Sequence, residues 1–233
     1  MDKIILQAQD LFKTADFDYA ICGGFALDMF AGKELRPHGD FDMCFFKEDK
    51  QKVLQFLIDR EWPIYGRFWE EGKNITQYLF YEMKGADDPD FAELNAFWAV
   101  KPGGWANMYR LERAGDNTFS YHMDEPRNSS FVFIELAFND REGDSYILQE
   151  KPKITRAMDK AILFADGIPY LSPEIILAYK TDKFSATHPY LKPKMEQDFA
   201  AIMPLLSAEQ KDWLMDSIKT AYPDGYEWLD GLL

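Results

Sequence analysis

Apolar positions at Ile4, Ile5, Ala8, Leu11 and Phe12 recur at helical spacing and predict a helix over residues 3–13. Asp16-Phe17-Asp18 breaks the pattern, and Tyr19-Ala20-Ile21-Cys22 reads as a short buried strand. Gly23-Gly24 makes a turn into a brief helix, Phe25 to Phe30, that stops at Gly32. A charged loop from Lys33 to Gly39 follows, and Asp40 to Phe46 reads as a strand. Asp49 to Arg60 is an amphipathic helix with Val53, Leu54, Leu57 and Ile58 facing inward.

The middle of the chain changes period. Ile75–Glu82, Glu93–Val100, Asn107–Leu111, Phe131–Phe138 and Tyr146–Gln149 read as strands between turn-rich loops. Sequential strands of this kind are expected to pair antiparallel. Asp166-Gly167 inside ILFADGIPYL is a hairpin signal. The last third is helical. Ser172-Pro173-Glu174 combines an N-cap hydroxyl, proline at the first helical position and an acid near the positive dipole end, opening a helix to about Phe184. A second helix covers 194–203, and Ser207-x-x-Gln210 is a capping box for a third. The pattern gives an α+β fold, a mixed sheet with helices over residues 1–168, followed by a small helical C-terminal domain over 169–233.

Composition narrows the function classes. The 233 residues are 47% hydrophobic, enough for a real core, and carry a formal net charge of −14. Nucleic acid and anionic membranes both demand a positive footprint, so neither is an expected partner; a cationic small molecule is the better match, and solubility alone also accounts for such a charge. The two cysteines, Cys22 and Cys44, have no metal-type spacing, and the N-terminus has no long apolar core. Free, buried thiols in a reducing cytoplasm are expected.

The chemistry concentrates in residues 21–42. Residues two apart on a strand point to one face, with Cα atoms roughly 6.5–7 Å apart. The carboxylates of Asp40 and Asp42 would therefore repel unless a cation lies between them, which suits Mg²⁺. Asp-x-Asp alone also fits the solvent face of a half-buried strand on which Phe41, Met43 and Phe45 point inward. Gly23-Gly24, between a strand and a helix N-terminus, is suited to a close backbone approach by phosphate. Arg36 and His38 lie on the loop between these features, either to contact phosphate or as an ordinary solvated loop.

CGGFALDMFAGKELRPHGDFDMCFF resembles the start of the aminoglycoside adenylyltransferase-like nucleotidyltransferases, members of the DNA polymerase β superfamily. Gly167-Ile168-Pro169-Tyr170-Leu171-Ser172-Pro173-Glu174, Lys180, Lys192-Pro193-Lys194, Asp198-Phe199 and Pro204-Leu205-Leu206 extend the resemblance to the C-terminal part. It implies a polymerase β-like fold and an enzyme that moves NMP, with AMP from ATP the expected case, onto a hydroxyl of a small molecule of the aminoglycoside type. It further implies two Mg²⁺ ions held by Asp40, Asp42 and a third carboxylate. Glu135, a lone charge inside the apolar run 131–138, is the candidate for the third, as metal ligand or general base. Gly23, Gly24, Arg36, His38 and Lys180 would bind the nucleotide phosphates. Lys180 also reads as a surface lysine, and Lys194 with Asp198 as a helical i,i+4 ion pair. Phe25 replaces a serine common in the superfamily, and Glu135 stands where Asp is commoner. The alternatives are a lincosamide, a metabolite or a protein hydroxyl as acceptor, or an inert nucleotide-binding protein. Asp87, Asp88, Trp98 and Trp105 are candidates to line a cationic acceptor site, and Glu93 is the next carboxylate should Glu135 not serve.

Overall fold

The computed structural model describes residues 2–68, 79–102, 109–115, 118–123, 133–182, 191–225 and 227–230. The chain forms two compact units, Met1–Tyr19 with Pro37–Asn139 and Ala20–Arg36 with Asp140–Leu233.

In the first unit, helix α1 (Lys3–Phe12) is capped by the Asp2 carboxylate, which accepts from the Ile4 N–H at 2.7 Å. Strand β2 (Asp42–Phe46) leads to α3 (Lys50–Ile58). Strands β3 (Ile64–Phe68), β4 (Leu79–Glu82), β5 (Ala96–Val100), β6 (Tyr109–Gly115), β7 (Thr118–Met123) and β8 (Phe133–Glu142) follow. Their spatial order is β2-β8-β5-β3-β4-β7-β6. All pairs are antiparallel except β2 and β8, which run parallel. β3 and β7 are absent from the sequence reading, and the segment 75–78 lies outside the described residues.

One face of β2 and β8 carries Met43, Phe45, Ile134, Leu136 and Phe138, all buried. The ring of Phe12 on α1 meets both Phe45 and Phe56 of α3 here, with centroids 5.5 Å apart for Phe12–Phe45 and 5.7 Å for Phe12–Phe56. These offset ring contacts explain why α1 and α3 lie on this face. Cys44, on the other face, is 1% exposed, so β2 is buried on both sides beyond Asp42 and is no half-solvated strand. A strand flanked by a parallel neighbour in a sheet interior is buried in this way.

Gly66 on β3 marks a close approach. A Cβ there would stand 2.3 Å from Cε1 of Phe91 and 2.9 Å from Cδ1 of Leu94. Phe91 is buried and cannot swing away. Gly66→Ala should therefore cost about 1–3 kcal/mol, the usual scale of overpacking. Urea denaturation measures this, and an unchanged midpoint would show that the ring has room to move.

In the second unit, β1 (Ala20–Ile21) pairs parallel with β12 (Ile168–Leu171), and β12 pairs antiparallel with β11 (Ile162–Ala165). The expected hairpin is present: Asp166 and Gly167 both have positive φ, 51° and 80°, as a two-residue type I′ turn demands. Residues 140–142 at the end of β8 pair with β9 (Ser145–Gln149), which pairs with β10 (Ile154–Ala157). Helices are α2 (Gly23–Ala31), α4 (Met158–Ala161), α5 (Pro173–Tyr179), α6 (Leu191–Ile202), α7 (Ala208–Ala221) and α8 (Glu227–Asp230).

Three local expectations are revised. α5 ends at Tyr179, with the Lys180 N–H closing on the Ile176 and Leu177 carbonyls. Ser172 holds the N-cap place but makes no side-chain cap; its Oγ is buried with no hydrogen-bond partner among the described residues. Glu174 is fully buried and faces Arg156 of β10. The Ser207 capping box is complete, with both reciprocal hydrogen bonds formed. Among the described residues no helix is long and apolar enough to cross a membrane. Cys22 and Cys44 are buried and form no disulfide with one another.

Candidate active site

The parallel register of β2 and β8 pairs Asp42 directly with Glu135, Met43 with Leu136 and Phe45 with Phe138. The Glu135 N–H donates to the Phe41 carbonyl at 2.9 Å and locks this register. β5 flanks β8 on its other side and sets Trp98 opposite Glu135. Glu135 thus lies on a central strand, on the face opposite the Phe45 core. Asp40 precedes the strand, which begins at Asp42 and not at Asp40 as the alternation suggested.

Asp40, Asp42 and Glu135 each present a carboxylate oxygen, and the three oxygens lie within 4.8 Å of one another. All three residues are half-buried. Three anions this close are mutually unfavourable, and a cation would relieve them. An all-oxygen donor set at a partly open position fits Mg²⁺, which keeps water or substrate oxygens in its remaining places. Deeper in the same strand pair, the Asn139 Nδ2 donates to the Ala137 carbonyl at 3.0 Å and to the Cys44 Sγ at 3.2 Å.

In the second unit the glycine pair does not precede the helix but begins it. Gly23 has φ 62°, a conformation other residues adopt only with strain, and it forms the first position of α2. Cys22, at the N-cap, makes no side-chain capping bond. Gly32 ends α2 in the left-handed conformation, its N–H bonded to the Asp28 and Met29 carbonyls. The Asp28 carboxylate then accepts from the Leu35 N–H at 2.9 Å, which fixes the loop that carries Arg36.

Arg36 and Lys180 converge on one carboxylate. The Arg36 guanidinium grips Asp198 of α6 with two bonds, Nε to Oδ1 at 2.9 Å and Nη2 to Oδ2 at 3.1 Å. Lys180 Nζ lies 3.0 Å from Oδ2. Asp198 is 1% exposed and the two cations 12% and 13%. Burial pushes the Asp198 carboxyl up, but the Arg36 hydrogen bond and the charges of Lys180 and Arg36 outweigh it and hold it below the usual carboxylate value. The i,i+4 reading of Lys194 with Asp198 thus gives way to partners from two other elements, and Lys180 does not extend along the surface. His38, which belongs to the first unit, is buried and not part of a solvated loop.

Asp88 accepts from the Lys84 and Asp90 N–H groups and organises a turn. Asp87 and Glu93 are exposed, Trp98 is buried, and Trp105 lies outside the described residues. The role of Asp198 escaped the sequence reading. Its signal was helical spacing, since Asp198, Phe199 and Ile202 share the buried face of α6.

Residues 4–64 match the family described as aminoglycoside-2''-adenylyltransferase. A lincosamide resistance protein of Staphylococcus haemolyticus is 36% identical over 58 residues, which make up 25% of this chain and 36% of that protein. The chain therefore matches about a third of the length of this curated relative. Two solved structures are similar at lower identity. One is a lincosamide antibiotic adenylyltransferase with lincomycin bound, at 16% identity and TM-score 0.45 over 86% of this chain and 98% of that one. The other is ANT(2'')-Ia in complex with adenylyl-2''-tobramycin, at 13% and 0.46 over 93% and 97%. The segment that carries both the Gly23-Gly24 helix start and the Asp40-x-Asp42 pair is thus the one that matches the family described as aminoglycoside-2''-adenylyltransferase.

Proposed function

We propose that this chain is a metal-dependent nucleotidyltransferase that transfers AMP from ATP to a hydroxyl of an aminoglycoside- or lincosamide-type antibiotic. The observation that carries the reading is the convergence of Asp40, Asp42 and Glu135 to within 4.8 Å. The match of residues 4–64 supports it independently. Mg²⁺ held by these carboxylates would offset charge on the triphosphate and on the attacking oxygen. Asp40 and Asp42 anchor and orient that charge. Glu135 either completes the ligand set or takes the proton of the acceptor hydroxyl. The hydroxyl oxygen bonds to the α-phosphorus, the bond to the β-phosphate breaks, and pyrophosphate leaves. Gly23 and Gly24 at the start of α2, with Arg36, His38 and Lys180, are the groups assigned to the phosphates. The net charge of −14 favours a cationic acceptor such as an aminoglycoside.

A panel of nucleoside triphosphates against aminoglycosides and lincosamides, read by pyrophosphate release, tests this. ATP with at least one antibiotic should give turnover that EDTA removes and Mg²⁺ restores. Absence of turnover across the panel, together with no Mg²⁺-dependent nucleotide binding by calorimetry, would defeat the reading.

A further inference from the structure

In the second unit α5 and α7 pack against one another, and three large polar side chains set the spacing around them. The Trp213 Nε1 of α7 donates to the Thr155 carbonyl of β10 at 2.9 Å. The Tyr222 hydroxyl, at the end of α7, donates to the Thr181 carbonyl just beyond α5 at 2.9 Å. The Tyr146 hydroxyl of β9 meets the Tyr179 hydroxyl of α5, also at 2.9 Å. Between these ties the facing positions are small. Ala178 of α5 and Ser217 and Ala221 of α7 line a cavity of about 180 Å³, with Ile154, Ile218 and Tyr179 among its other walls. Ser217 and Ala221 are four apart and share one face of their helix. Small side chains cannot close a gap that the tyrosines and the tryptophan hold open.

Ser217 is 5% exposed, yet its hydroxyl makes no hydrogen bond among the described residues. A helical serine commonly bonds back to the carbonyl four residues earlier, and a buried hydroxyl is nearly always paired. Here the side chain lines the cavity, and a partner has to come from that space. Asp182 also lines it but already has a partner, and the other lining residues are uncharged. A water molecule takes up about 30 Å³, and an apolar cavity of about 150 Å³ is large enough for benzene. The space is therefore of the size for one ring, with aliphatic walls for its faces and one hydroxyl to orient it.

We propose that this cavity is a binding site for a small neutral molecule with one ring and a hydroxyl, of the phenol or cyclic-alcohol class, held by Ser217. No step of the proposed nucleotidyl transfer uses these residues, so the inference stands apart from that reading.

Calorimetry with phenol, and with toluene as its hydroxyl-free match, tests it. Wild-type protein should bind one phenol per chain, and toluene about tenfold more weakly, the scale of one hydrogen bond. Ser217→Ala should lower the affinity for phenol by about tenfold and leave that for toluene unchanged. Ala221→Leu fills the cavity and should abolish binding of both. Should Ala221→Leu fail to fold, Ala178→Val narrows the same space from α5, and weaker binding of both probes is expected. Absence of saturable phenol binding by the wild-type protein overturns the proposal, since the space then holds water alone. Wild-type affinity for phenol in whichever filled variant folds also overturns it, because the probe is then bound elsewhere. Unchanged phenol affinity in Ser217→Ala overturns the assignment of the hydroxyl to Ser217.

Discussion

Asp42→Asn should reduce nucleotidyl transfer by about 10³-fold, the equivalent of several kcal/mol of lost charge stabilisation at the reacting phosphate. The fold should survive the change. Asp42 begins β2, and the core on that strand is made by Met43 and Phe45 on the opposite face. Asparagine has the same shape, and it removes one of three carboxylates crowded within 4.8 Å. Without metal, relief of that repulsion should leave thermal stability unchanged or raised. Asp40→Asn should behave alike, and Glu135→Gln should lower kcat by about 10²-fold or more, the scale of a positioned base. Mg²⁺ titration by calorimetry provides a second readout and should show weaker binding in each variant. Near wild-type turnover in either aspartate variant would show that the carboxylates are not the metal site.

Arg156→Met should destabilise the protein by about 3–5 kcal/mol. The Arg156 Nε and Nη2 both donate to the Glu174 Oε1, at 3.1 and 2.7 Å, and Gln210 donates to the Oε2 at 2.8 Å. Glu174 is 0% exposed, so loss of the guanidinium strands a charge that water cannot reach. Glu209, the second partner of Arg156, is 57% exposed, and an ion pair of that kind contributes at most about 1 kcal/mol. The Trp213 ring lies 5.2 Å from the guanidinium carbon and would lose its cation as well. Denaturant unfolding of Arg156→Met beside Glu209→Gln should separate the two by more than 2 kcal/mol, going by these ranges. Equal, small losses would show that Glu174 finds another partner.

The residues that spoke from the sequence were those whose meaning is local. Asp40 and Asp42 are two apart, the hairpin turn at Asp166-Gly167 is set by two backbone conformations, and the Ser207 capping box closes within four residues. Glu135 was readable because a charge inside an apolar run is anomalous. Pairing was not readable. The local rule favours antiparallel neighbours, yet β2 lies beside β8 in parallel, because the strands between them turn outward through β5 and β3. Asp198 meets a partner 162 positions away, and helical spacing alone offered Lys194. Glu174 matched the rule for an acid at a helix start, but burial against Arg156 decides its role. β3 was missed because Gly66 interrupts its run, and that glycine is there to admit Phe91.

Asp42 and Glu135 stand side by side, but all the chain from α3 through β7 lies between them in sequence. That excursion leaves from β2 and returns on β8, the strand next to it. Its far end, β4-β7-β6, lies successively further from the two carboxylates. Insertions or deletions at that edge lengthen or shorten the detour without altering the seam where it closes, since the seam is set by hydrogen bonds between β2 and β8 themselves. Descendants of this fold can therefore rebuild the periphery of the sheet wholesale while the three carboxylates keep their places.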